Sequence, residues 1–320
     1  MRYSIARMYS IVGAMFLGAG IASAQNFPTK PLRIVASEPG GSGDLIARVI
    51  VQGISGPLGQ PVIVDNRPVA YSLSETVAKA PPDGYTMLMS GSALWLLPYM
   101  RAKVSWDPIK DFAPISWLTT TPCLVVAHPT LAARSVKELI GLAKAKPGVL
   151  NYGSGSTGTV THLALELFKS MTGTDIVRVP YKAAGPAIIG LIAGEVQIMF
   201  ATAASISSHV KSGKVRALAV TSAKPSALFP NMPTMASAGL PGYEAASTNA
   251  IFTSSGTPAA VIRRLNQEIV RVLTRPEVKE KLLTGEIEVV ASSPDELVVM
   301  MKSDMTRMGK VIKDAGIRDD

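Results

Sequence analysis

Asn151–Phe168 reads NYGSGSTGTVTHLALELF, and the reading of its glycines decides what kind of fold this is. Gly153, Gly155 and Gly158 form G-x-G-x-x-G ahead of a run with helical periodicity, and Asp175 stands twenty residues beyond Gly155. A glycine turn lets backbone N–H groups approach an anion, and the helix that follows adds the positive end of its dipole. A dinucleotide, a phosphate or a carboxylate would all suit such a loop, so its surroundings must choose.

The surroundings disfavour a dinucleotide. The strand ahead of the loop, Val149–Tyr152, is short and partly polar, and Asp175 opens the strand Asp175–Pro180 where a ribose-holding acid should close one. A hydrolase would centre on Ser156 in Ser154-Gly155-Ser156-Thr157-Gly158, one residue short of the G-x-S-x-G elbow. Such an elbow needs a histidine far downstream. His162 lies on the helix that the loop starts, placed to cap it or line a pocket, and His209 has no acid nearby. His128, before Pro129, reads as an exposed strand end. A second loop of the same design, Glu38-Pro39-Gly40-Gly41-Ser42-Gly43, precedes the first helix. Two helix N-termini rich in N–H and hydroxyl groups, facing each other across a cleft, would clamp a small carboxylate without chemistry.

The N-terminus agrees with a binding protein that is exported. Arg2 and Arg7, the apolar run Ile11–Ile21 and Ala22-Ser23-Ala24 form a secretory signal peptide pattern, with cleavage expected after Ala24. The arginines are not paired, which disfavours the twin-arginine route. Their loss takes the formal charge from +9 to +7. Lys and Arg are scattered without an aromatic stripe, so nucleic acid is not an expected partner. Cys123 is the only cysteine and lies in an apolar run, which reads as a buried thiol; no metal-spaced cluster is present and no cofactor is expected. About 296 mature residues suffice for two domains.

Strand and helix patterns alternate from Pro31 onward. Leu32–Ala36, Pro61–Asp65 and Tyr85–Met89 read as strands, with helices from about Ser42 to Gly53 and over Glu75–Ala80. Asp111–Thr119 and Cys123–Ala127 look extended with no helix between, as in a crossing to a second domain. Ser135–Lys146 reads as a helix whose Ser135 and Glu138 make a capping box. Ile188–Ala193, Val196–Ala201 and Val215–Thr221 continue the alternation, and Ala250–Ser254 reads as a return strand. Helices over Pro258–Leu273, Pro276–Thr284 and Pro294–Ala315 close the chain. The alternation implies a mostly parallel sheet with ligand sites beyond the carboxyl ends of its strands.

Several segments together resemble one family, the extracytoplasmic solute receptors of tripartite tricarboxylate transporters, the Bug-type proteins. They are FPTKPLRIVASEPGGSGDLIAR (Phe27–Arg48), LGQPVIVDNRP (Leu58–Pro68), VAKAPPDGYTML (Val77–Leu88), DPIKDFAPIS (Asp107–Ser116), KPGVLNYGSGSTGTVTHLALELF (Lys146–Phe168), VPYKAAGPAIIGLIAGEVQIMF (Val179–Phe200), GKVRALAVTS (Gly213–Ser222) and MPTMASAGLPGYE (Met232–Glu244). The resemblance implies an α/β Venus-flytrap receptor of two domains, type II-like, with mixed, mostly parallel sheets and helices on both faces. Residues 25–122 and 246–320 would form one domain and 123–245 the other, with crossings near Pro122–Ala127 and Ala245–Phe252. It also implies a periplasmic monomer that captures a small organic carboxylate and docks on the large and small membrane subunits of a secondary transporter. Two alternatives stand beside it: a secreted hydrolase using Ser156, and a receptor without a transporter that feeds a sensor.

The sequence departs from the family around the expected pocket. Ala36-Ser37-Glu38 replaces a proline-rich turn with an aromatic residue, and Val69-Ala70-Tyr71-Ser72 replaces a glycine-rich run. Ala183-Ala184 replaces a glycine pair, and Ser247-Thr248-Asn249 stands where a tryptophan is common. Glu38 is either a solvated turn residue or, near the cleft, a carboxylate that would repel a dianion unless paired, and Tyr71 either replaces the missing ring or lies in the core. These changes argue against a citrate-like ligand and for an amino-acid-like, amide or aromatic monocarboxylate. The candidate ligand residues are Ser37, Glu38, Gly40, Gly41, Ser42, Gly43, Tyr71, Ser90, Ser154, Gly155, Ser156, Thr157, Gly158, Thr159, His162, Tyr181, Ala201 and Thr202.

Overall fold

The computed structural model describes residues 27–319 apart from Glu38, Gly41, Pro68 and Val69. The expected signal peptide over residues 1–24, the carboxylate of Glu38, Gly41 and the side chain of Tyr71 therefore lie outside the described residues. The strands are β1 (Leu32–Ala36), β2 (Val62–Asn66), β3 (Thr86–Ser90), β4 (Phe112–Ala127), β5 (Asn151–Ser154), β6 (Val177–Pro180), β7 (Ile198–Thr202), β8 (Arg216–Val220), β9 (Ala246–Ser254) and β10 (Glu288–Val289). The helices are α1 (Ser42–Leu58), α2 (Ala70–Ala78), α3 (Ala93–Met100), α4 (Val136–Ala145), α5 (Val160–Thr172), α6 (Ala184–Ala193), α7 (Ala203–Lys211), α8 (Ala259–Leu273), α9 (Pro276–Thr284) and α10 (Pro294–Asp314).

The strands run in the order β2-β1-β3-β9-β4-β7-β5-β6, with β8 and β10 also on β4. The flanks are parallel and the centre is antiparallel. What sequence reading takes as two extended segments is one sixteen-residue strand, β4. It pairs with β9 as far as Pro122↔Ala246 and joins β7 from Cys123↔Thr202. Pro122 has no N–H to give a ladder, so the strand changes partner there without stranding a donor. Each half of β4 anchors one lobe.

Strand direction fixes where a ligand belongs. β3 is antiparallel to β9 and β9 to β4, so β1 and β3 point their carboxyl ends toward the second lobe. β7 is antiparallel to β4 and parallel to β5, so β5 and β7 point back toward the first. The loops after β1, β3, β5 and β7 converge on the crossing.

Thr221 fastens that crossing. Its N–H donates to Cys123 O at 2.9 Å, its carbonyl accepts from Ala245 N at 3.1 Å, and its hydroxyl accepts from Cys123 N at 2.8 Å while lying 2.5 Å from Ala245 O. Cys123 is fully buried and its thiol is pushed up to about 12 by desolvation, which leaves it unreactive. A second tie spans the lobes beside β10, where Glu286 and Glu288 accept from Ser207 of α7 and from Ser226.

Three local expectations need correction. α1 does not stop near Gly53 but runs to Leu58, because Gly53 is a crossing point: a Cβ there would lie 2.4 Å from Val272 of α8. The second helix spans Ala70–Ala78 instead of Glu75–Ala80. Ser135 does accept from Glu138 N, but Glu138 reaches Arg134 N at 2.7 Å and not the N–H of Ser135, so the box is not reciprocal. α3 and α7, both short and following strands directly, were not expected from the pattern.

Candidate functional site

The first glycine loop joins β1 to α1 and is held by Asp44. Its carboxylate accepts from Arg48 Nε at 3.0 Å, Asn66 Nδ2 at 2.9 Å and Gly40 N at 3.1 Å. The Arg48 hydrogen bond, outweighing burial, holds this acid at about 2. Asn66 also donates to Ser37 O at 2.6 Å, so one amide fixes both ends of the turn. Gly40 has φ +88°, a conformation that favours glycine. Gly43 packs beside Asn249: a Cβ there would sit 3.5 Å from Asn249 Oδ1, whose amide donates to Thr119 Oγ1 at 3.3 Å.

The second loop joins β5 to α5 and rests on Arg178 of β6. The guanidinium donates to Ser154 Oγ at 2.8 Å, Thr157 Oγ1 at 3.2 Å and Gly155 O at 3.0 Å. Gly155 N donates to Thr161 Oγ1, and Gly158 N to His162 Nδ1 at 3.2 Å. His162 is buried, and desolvation first, with the nearby Arg178 charge second, lowers it to about 4. It is therefore a neutral acceptor propping the loop. The N–H groups of Ser156, Thr157, Val160 and Thr161 have no acceptor among the described residues. Four unpaired amides at a helix start, over a fixed cation, make an anion cradle.

The lobes touch here. Gly158, at φ +77°, lies against Met100 at the end of α3, whose sulfur would be 2.8 Å from an added Cβ. Gly91, after β3, abuts β9 so closely that a Cβ would fall 2.2 Å from Thr248 O.

The expected residues divide by what they can still do. Ser37 and Ser42 are exposed on the first loop, and Ser156 is exposed with Thr157 and Thr159 half-buried on the second. Ser90 ends β3, paired with Ala250. Ser154 is fully buried with its hydroxyl used by Arg178 and Gly155 O. Tyr181 donates to Glu195 Oε2 at 3.0 Å, Thr202 bonds Ser205, and Ala201 is fully buried. These four hold the scaffold. Sequence reading missed Asp44, Asn66 and Arg178, and marked Asn249 only as a departure from the family around the pocket. A charge inside the short strand Val177–Pro180 was the one available signal, for Arg178.

Ser156 Oγ donates to Lys182 O at 2.9 Å, and His162 Nδ1 accepts from Gly158 N, so these two contacts do not join the serine to the histidine. Asp175 lies before β6, its carbonyl accepting from Gly148 N at the end of β5 away from the glycine loop. A cavity of about 510 Å³ lies off both loops, beneath α10.

The chain is similar to known proteins along most of its length. The family model described as tripartite tricarboxylate transporter family receptor matches residues 46–317. The chain is 33% identical over 327 residues to Protein BugT of Bordetella pertussis, covering 98% of this chain and 99% of that one. It is similar to the structure of R. palustris Rpa4515 with adipate, at 32% identity and TM-score 0.75, covering 91% and 99%. It is also similar to MatC from Rhodopseudomonas palustris with bound malate, at 27% identity and TM-score 0.70, covering 89% and 100%.

Proposed function

The chain belongs to the tripartite tricarboxylate transporter receptor family, and on that premise we propose that it is an exported receptor whose two lobes close on a small organic carboxylate. The lobes comprise residues 25–122 with 246–320, and residues 123–245, divided where β4 and the chain before β9 change sheets. The α5 cradle carries the reading: it presents four unpaired amides above Arg178 where strand ends from both lobes meet. One carboxylate binds there through Ser156, Thr157 and Thr159, and Ser37, Ser42 and Asn249 meet the far end of the ligand. A monomer delivers it to the membrane subunits of a secondary transporter.

The relatives' adipate and malate are dicarboxylates. In this chain the far side offers an amide and hydroxyls, which suits an amine, amide or aromatic group better than a second carboxylate. Thermal unfolding of the mature chain from Gln25 against dicarboxylates, tricarboxylates, amino acids and aromatic acids tests this. Ligand at 100 times its Kd adds about 2.7 kcal/mol to the folded state. A shift with amino-acid-like or aromatic monocarboxylates is expected. A shift confined to di- and tricarboxylates would refute the ligand class, and no shift with any acid would refute the receptor reading. Ser156→Ala should weaken binding without abolishing it.

A further inference from the structure

The cavity beneath α10 is about 510 Å³, a size that holds a drug-sized molecule. Ser37, Gly43 and Ser156 of the carboxylate loops do not line it. Its walls are apolar and come from both lobes: Leu96 and Trp117 with Met300 and Met308 on one side, Leu163 and Ala164 of α5 on the other.

The charges around it exclude most ions. Glu244, Asp295, Glu296 and Asp304 stand against Arg307 alone, so an anion meets net negative charge. The inner acids are already engaged. Arg307 lies 3.5 Å from Glu244 and 3.1 Å from Asp304, whose second oxygen accepts from Trp95 Nε1 at 2.8 Å. At the rim Glu296 caps α10 with Ser293, and Asp295 is exposed. An ammonium would have to compete with Arg307 for Glu244 and Asp304. Two donors are spare. Thr248 lines the cavity, yet its Oγ1 is shielded from solvent and pairs with nothing among the described residues, so turning it about χ1 toward an occupant would break no bond. Arg307 Nε is likewise shielded and unpaired, and it can only donate.

We infer that this cavity is a second ligand site, separate from the carboxylate loops, for an uncharged molecule with an apolar body and a carbonyl acceptor. Val160, the residue that starts α5 directly after the cradle, lines it too. Occupancy therefore braces both lobes and tightens cargo binding, a consequence that rests on the hinged-receptor reading; by linkage, cargo tightens the occupant equally.

The test is calorimetric titration of the full mature chain with acetanilide, without cargo. Saturable binding is expected in the wild type and in Arg178→Met, a cradle residue that does not line the cavity. Binding is expected to fall at least tenfold in Thr248→Trp and in Ala164→Leu, which fill the cavity from opposite walls, each checked as folded by circular dichroism. No saturable binding in the wild type, binding that survives both filling variants, or binding lost in Arg178→Met would overturn the inference. Cargo affinity should rise at least threefold at saturating acetanilide, and an unchanged value would remove the link to closure. Acetanilide binding beside a failed carboxylate panel would strike the receptor reading alone; the reverse would strike only the second site.

Discussion

His162 makes a sharp prediction because its imidazole serves as a neutral prop. It accepts from Gly158 N, sits almost fully buried, and has Arg178, Lys169 and Glu166 around it. Burial leads and the Arg178 charge follows in lowering it to about 4, against about 6.5 in an unfolded chain. The unfolded chain thus takes up the proton first. Stability is full above about pH 6.5 and is lost as the pH falls toward 4. A difference of about 2.5 units corresponds to about 3 kcal/mol lost by pH 4. The stability that Asp44, held at about 2, contributes is present across this window and is lost mainly below it. His162→Gln keeps an acceptor and cannot titrate. Urea unfolding of both proteins at pH 7, 6, 5 and 4 should show wild type losing about 3 kcal/mol relative to the variant, most of it between pH 6 and 4. Parallel profiles, or an imidazole that titrates near 6.5 by NMR in the folded protein, would refute the neutral prop.

Two further substitutions test the cradle and the crossing. Arg178→Met removes three hydrogen bonds to the α5 loop; cargo affinity should fall at least tenfold, equivalent to about 1.4 kcal/mol, and an affinity within twofold of wild type by calorimetry would show that the cradle holds its shape unaided. Thr221→Val leaves Cys123 N without its hydroxyl acceptor at the crossing, at a cost of about 1–3 kcal/mol. An unchanged urea midpoint would mean that the backbone bonds to Cys123 and Ala245 suffice.

The α/β alternation, both glycine loops and the three C-terminal helices were legible in the sequence because each rests on short-range demands. Apolar spacing defines the helices, and Gly40 and Gly158 mark turns with positive φ. α3 escaped because it is almost wholly apolar with Pro98 inside it, and α7 because three serines blur its apolar spacing. The site was legible only in outline. Ser154 and Ser156 look alike in the chain, yet Arg178, more than twenty residues away, consumes the first and leaves the second exposed.

By itself the sequence determined the family, most of the strand–helix alternation and the positions of two glycine loops, because glycine, turn and periodicity requirements act over a few residues. Only the tertiary structure decided that one strand serves both lobes, that Thr221 ties Cys123 to Ala245, and which polar groups remain free. Those outcomes depend on partners as far apart as Asn249 and Thr119, 130 positions away. A hydrogen bond depends on which groups folding brings within about 3 Å, and no local pattern in the chain specifies that.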